Sequence, residues 1–286
     1  MQPDYQALQL HLIREALQED IGSGDHSTLS CIDAGARGVA ILRIKEAGVL
    51  AGVALAKAIF EYLEPGVAFQ QFKHDGDTMQ PGEIAFEVHA RVHTILQCER
   101  VVLNCMQRMS GIATLTRSYA DALEGYHTRL LDTRKTTPNF RLAEKEAVRI
   151  GGGHNHRFAL YDMIMLKDNH IDYCGGIVPA IEKAWHYVQT VQPGLAIEVE
   201  TRSLADVEQV LQCGKVNRIM LDNFTPADVL RAVELIAGRY ETEASGGITL
   251  TNIRDYAATG VDFISVGALI HQARSLDLSL KAKILN

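Results

Sequence analysis

Six short runs, TRLLD (128–132), MIMLK (163–167), LAIEVE (195–200), NRIMLD (217–222), ETEAS (241–245) and DFISVG (262–267), set the rhythm of the second half of this 286-residue chain. Each is followed by a segment that can be helical, and a repeated strand-then-helix order builds a parallel sheet covered by helices. Asp132, Lys167, Glu200, Asp222, Ser245 and Gly267 each sit at or just past the end of a run. In a βα barrel those ends share one rim, where reacting groups are assembled. Six runs fall short of eight, so counting alone leaves an open, doubly wound sheet as the alternative.

The first third is mixed. Apolar residues recur at helical spacing over 5–19, strand-like order covers 38–45, and a second alternating segment, 84–91, follows the turn-forming HDGDTMQPGE. A long helical pattern spans 94–123, with an expected break at Ser110-Gly111 and a domain junction at 110–116. A formal net charge of -7 disfavours nucleic acid and anionic membranes as partners. No apolar run approaches the roughly 20 residues needed to cross a bilayer. Five scattered cysteines without a CxxC pair are those of a reducing compartment, and the expected location is the cytoplasm.

Within this acidic chain, 132–170 concentrates cations, histidines and a triple glycine. Arg134, Lys135, His156 and Arg157 supply forks and point charges for a small ligand with several carboxylates or phosphates. Arg141, Lys145 and Arg149, interleaved with Glu144 and Glu146, read instead as a solvated helix face. His154 and His156 invite a zinc reading, but no third ligand stands at the usual spacing. The triple glycine matches no nucleotide-binding fingerprint. Lys167 at a strand end could form a Schiff base, or stay charged and hold an anion. Glu198 and Glu200 alternate and so face one side, with Asp222 closing the next strand; such oxygens suit Mg²⁺. The glycine turns in EASGGIT and SVGALI can offer backbone N–H groups to a phosphate.

Taken together, EDIGSGD, EAGVLAG, ERVVLNCMQRMSGIAT, DTRKTTP, AVRIGGGHNHR, MLKDNHI, EVE, LDN, EASGGIT and GVDFISVGAL closely resemble the quinolinate phosphoribosyltransferases (nicotinate-nucleotide pyrophosphorylases, carboxylating) over nearly the full length. The resemblance implies an α/β protein. An N-terminal α/β sandwich (1–113) would precede an open or incomplete βα barrel (114–273), with a C-terminal helix (274–286) packing back on the first domain. It implies transfer of the phosphoribosyl group of phosphoribosyl pyrophosphate to quinolinate with loss of CO2, giving nicotinate mononucleotide and pyrophosphate for NAD biosynthesis. By that likeness Arg100, Arg134, Lys135, His156, Arg157 and Lys167 bind quinolinate. Glu200, Asp222, Ser245, Gly246, Gly247 and Gly267 bind phosphoribosyl pyrophosphate. Lys135, Lys167, Glu200 and Asp222 are the catalytic set, and Glu200 and Asp222 hold Mg²⁺ directly or through water. A homodimer or larger homo-oligomer is implied, with Arg100 reaching into the neighbouring subunit's site. Two readings stand against this one: a Schiff-base lyase using Lys167, and a non-catalytic protein that binds anionic metabolites.

Overall fold

Alternating strand patterns and helical patterns resolve into two compact units in the computed structural model, which describes residues 4–283. The outermost residues of the expected end domains, 1–3 and 284–286, lie outside the described residues.

In the N-terminal unit, strands β1 (Arg37–Ile44), β3 (Ala68–Gln71) and β5 (Ile84–Arg91) join a strand from the far end of the chain, while β2 (Gly48–Val49) and β4 (Thr78–Met79) pair separately. The four-stranded sheet is antiparallel throughout, with Val39 opposite His89 on one side and Lys283 on the other. Leu42, Ile44 and Phe86 are fully buried in it, and Phe60 of the helix Val53–Leu63 meets Phe86 edge-on at 6.3 Å. Aromatic packing of this kind stabilises beyond the area it buries.

The second unit holds β6 (Arg129–Leu131), β7 (Ile164–Leu166), β8 (Ile197–Thr201), β9 (Arg218–Asp222), β10 (Glu241–Ser245) and β11 (Phe263–Ser265), the six expected runs. They pair in parallel in the order β6-β11-β10-β9-β8-β7, so β6 and β7 are the edges of an open barrel. A single parallel bridge from Leu131 to His154 extends the β6 edge. Along β8 and β9, Ile197, Val199, Ile219 and Leu221 are buried, while Glu198, Glu200, Met220 and Asp222 occupy the alternate positions. The period of two thus separates an apolar face from one that carries charge.

Four expectations need correction. The chain beyond 273 forms strand β12 (Leu278–Lys283) in the N-terminal sheet, not a helix. The long helix, Val92–Ala122, runs through Ser110-Gly111 without a break. Gly111 is there for close approach, because a Cβ would collide with the Arg274 carbonyl oxygen. The contiguous boundaries also fail, since 136–152 and 269–283 belong with the N-terminal unit. Finally, the helix Arg141–Ile150 is not a solvated charged face, because Glu144 and Lys145 are buried. Glu144 accepts hydrogen bonds from the Arg108 guanidinium at 3.0 Å and from the Thr137 N–H at 2.8 Å. Arg149, paired with Glu146, is exposed as expected.

Candidate active site

The polar residues at the strand ends are held by short local bonds. After β6, the buried Asp132 accepts the His156 N–H at 2.8 Å through Oδ1 and the Asn155 amide at 2.7 Å through Oδ2. These bonds fasten the GGGHNHR turn beside β6. Alternation along the turn leaves His154 exposed and His156 buried. The two imidazoles therefore do not converge, and the zinc reading fails on geometry.

Arg134 stands on the loop after β6, with its Nε buried and without a hydrogen-bond partner among the described residues. Arg157 is half-buried and donates from Nη1 to the Met163 carbonyl at 3.2 Å. Burial, and then repulsion from the Arg134 guanidinium, hold Arg157 below its ordinary value. Two guanidiniums close enough to repel, one with an unspent donor, make a cationic pair that a dianion relieves. Lys135 next to them is exposed.

Lys167 follows β7, and its Nζ lies 3.3 Å from Oε2 of Glu200 on β8. With 48% of its side chain exposed and a carboxylate as partner, Lys167 lacks the dry or cationic surroundings that a Schiff-base lysine needs. Asp222 ends β9 and accepts from the Ser245 hydroxyl at 2.5 Å and the Asn223 amide at 2.7 Å. A Cβ on Gly246 would collide with the Asn223 side chain and lie 2.9 Å from its backbone N, so glycine alone lets the LDN and SGG turns interlock. Gly247 follows in the same exposed turn, and Gly267 lies two residues beyond β11. Arg100 is exposed on the helix Val92–Ala122 and pairs with no acid among the described residues.

A cluster that the sequence reading did not assemble lies inside the barrel. His156 Nε2 is 3.0 Å from Glu198 and 3.3 Å from Glu243, and Arg218 Nη1 is 3.0 Å from Glu243. Arg218 also pairs with Glu241 at 2.9 Å and lies 4.0 Å over the Phe263 ring. Burial pushes the His156 ring down, but the two carboxylates outweigh it and raise it to about 9. Burial and the Glu243 charge raise Glu198 to about 6. For Glu243 itself, burial pushes upward, yet His156, Ser265 and Arg218 together hold it low. The trio His156, Glu198 and Glu243 could converge on a metal ion, but Arg218 already neutralises Glu243. The alternation of Glu241, Glu243 and Ser245 in ETEAS was the available signal, because it places all three on one face.

Guanidiniums and acids gathered at parallel strand ends define a βα-barrel enzyme that handles anionic substrates. Two family profiles match the chain: "Quinolinate phosphoribosyl transferase, N-terminal domain" over residues 25–110 and "Quinolinate phosphoribosyl transferase, C-terminal domain" over 112–281. The chain belongs to the quinolinate phosphoribosyl transferase family. It is 45% identical over 285 residues to a chloroplastic nicotinate-nucleotide pyrophosphorylase [carboxylating] of Arabidopsis thaliana, spanning 94% of this chain and 81% of the relative. It is 42% identical to a probable nicotinate-nucleotide pyrophosphorylase [carboxylating] of Bacillus subtilis, spanning 96% and 93%. Among solved structures, NadC from Streptococcus pyogenes superposes over all of both chains with a TM-score of 0.90 at 42% identity. The nicotinate-nucleotide pyrophosphorylase of Francisella tularensis covers 99% of this chain and 98% of its own, with a TM-score of 0.86 at 36% identity.

Proposed function

We infer that this chain is a decarboxylating quinolinate phosphoribosyltransferase, a pentosyltransferase that supplies nicotinate mononucleotide for NAD biosynthesis. The observation that carries the reading in the site itself is the Arg134–Arg157 pair, a ready receptor for two carboxylates. Lys135, Lys167 and Arg100 of a second subunit add cations to the quinolinate half. The exposure of Arg100, without a paired acid among the described residues, supports a role outside its own fold.

The ring nitrogen of quinolinate attacks the anomeric carbon of phosphoribosyl pyrophosphate as the bond to the diphosphate oxygen breaks, and the electron pair leaves with pyrophosphate. Glu200 and Asp222 offset positive charge at that carbon, while Lys167, paired with Glu200, steadies the departing anion. The carboxylate beside the now cationic ring nitrogen leaves as CO2, and the electron pair left on the ring carbon takes up a proton. No protein nucleophile is required, so rate comes from positioning and charge. Backbone N–H groups of Gly246, Gly247 and Gly267 receive the 5′-phosphate, and the Ser245 hydroxyl joins them by turning away from Asp222.

The donor set fits Mg²⁺, because Glu200 and Asp222 offer hard oxygens on neighbouring strands. No cage of three ligands forms around them among the described residues. That suits an ion held largely by substrate phosphates and water. Bound there, Mg²⁺ would neutralise charge on the diphosphate. No helix among the described residues is long and apolar enough to cross a membrane. We place the enzyme in the cytoplasm as a homodimer or larger homo-oligomer, although plant relatives are named as chloroplastic or mitochondrial. Purified protein given quinolinate, phosphoribosyl pyrophosphate and Mg²⁺ should release CO2 and pyrophosphate in equal amounts. Absence of both would refute the assignment, and binding without turnover would favour a metabolite-binding protein.

A further inference from the structure

The barrel interior contains four ionisable groups where aliphatic layers are usual. Glu198 and Glu243 are fully buried, His156 is 8% exposed, and Arg218 lies beneath them. Burying such groups costs several kcal/mol per ion before pairing, and a well-packed apolar replacement is often as stable or more so. Glu198 Oε1 and Glu243 Oε1 also lack hydrogen-bond partners among the described residues. Stability therefore does not account for the cluster.

What the cluster holds is the turn that carries Arg157. His156 is fixed at both ends, its backbone N–H donated to Asp132 at 2.8 Å and its ring Nε2 facing Glu198 and Glu243 at 3.0 and 3.3 Å, and in the neutral ring Nδ1 also accepts the Arg157 N–H at 2.7 Å. Freeing the ring from the two carboxylates would let the backbone at His156 shift, and with it the direction in which the side chain of the next residue, Arg157, leaves the chain. Beyond Arg157 the turn is fastened again, with Asp162 accepting the Phe158 and Ala159 N–H groups at 2.5 and 2.7 Å. The imidazole stands between these fixed points, on the residue that precedes Arg157.

We propose that Glu243 and Arg218 are positioning residues for quinolinate: with Glu198 they lock the His156 ring, which sets the Arg157 backbone and so aims the Arg157 guanidinium at a substrate carboxylate. Arg218 matters because its fork to Glu241 and Glu243 and its contact with Phe263 keep the Glu243 carboxylate under the ring. His156 then supports the quinolinate half by holding the turn that carries Arg157.

The proposal rests on the reading that Arg157 binds quinolinate, and a mutant cycle separates the two. Kinetics are measured for the wild-type enzyme, Glu243→Gln, Arg157→Lys and the double variant, with quinolinate and phosphoribosyl pyrophosphate varied in turn. Glu243→Gln should raise KM for quinolinate about tenfold, change kcat less than threefold, and leave KM for phosphoribosyl pyrophosphate alone. In the Arg157→Lys background the same change should cost nothing further, because the guanidinium it aims is gone. If Glu243→Gln does not fold, Arg218→Lys, which keeps the charge but loses the fork, takes its place in the cycle. Equal penalties in both backgrounds, or equal changes in both KM values, would overturn the positioning role alone. An unchanged quinolinate KM in Arg157→Lys would remove the Arg157 assignment and this proposal with it.

Discussion

Strand β1 of the N-terminal sheet and strand β8 of the barrel sheet both have buried runs, with opposite chemistry. In β1, Val39, Ala40, Ile41 and Leu42 are buried as an aliphatic run. In β8 every residue is buried, yet two of the five are glutamates. The first sheet is what hydrophobic burial alone would select. The second retains charges at a desolvation cost, and they lie directly below the strand ends where the candidate site is built. The difference assigns stability mainly to one sheet and chemistry to the other, and it can be attacked from either side.

The largest effect is expected at the rim. Arg157→Ala should lower kcat/KM for quinolinate at least about 100-fold, the loss expected when a bidentate charge contact to the substrate disappears. Mixing that variant with Arg100→Ala should restore part of the activity through hybrid dimers that carry one intact site. No recovery despite demonstrated subunit exchange would remove Arg100 from the site. In the N-terminal sheet, Leu42→Ala should cost about 3 kcal/mol in denaturant unfolding through the cavity it leaves, with both KM values unchanged in the folded enzyme.

A smaller effect is expected from pH. His156 binds its proton more tightly when folded than when unfolded, so its contribution to stability is complete below about pH 6.5 and is lost as pH rises toward 9. Between those limits unfolding free energy should fall by on the order of 1 to 2 kcal/mol. Release of the Arg157 amide from Nδ1, which a doubly protonated ring requires, trims the full linkage value. Urea melts across that range should show the slope in wild-type enzyme and lose most of it in Glu243→Gln. The smallest effect belongs to the surface, where Lys215→Ala breaks an exposed pair with Glu182 and should leave the urea midpoint within scatter.

The six barrel strands were legible because each is a short run bounded by turn residues, and the rim followed from the βα order. Arg134, Arg157, Lys167, Glu200 and Asp222 could be named for the same reason. The C-terminal strand was also legible but missed: Leu276, Leu278 and Leu280 alternate with polar residues, which is a strand's period and not a helix's. Other features were hidden in principle. Gly111 reads as a helix breaker because nothing local shows that the Arg274 carbonyl passes over it. Glu144 reads as a surface charge because its partner Arg108 is 36 residues away. The interior cluster draws on four separate segments, so no local window displays it.

The pairing of β12 with β1 ties Val39 to Lys283, and this has a bearing on synthesis. One edge of β1 stays unpaired until the last strand emerges, about 240 residues later. At ribosomal speeds of roughly 5 to 20 residues per second, that is a wait of about 12 to 50 s. An apolar edge left open for so long invites pairing with another nascent chain. Every barrel strand is made during that interval, so the catalytic framework can form before the N-terminal sheet is complete. Slowed translation late in the message should therefore raise the aggregated fraction without altering the enzyme that does fold.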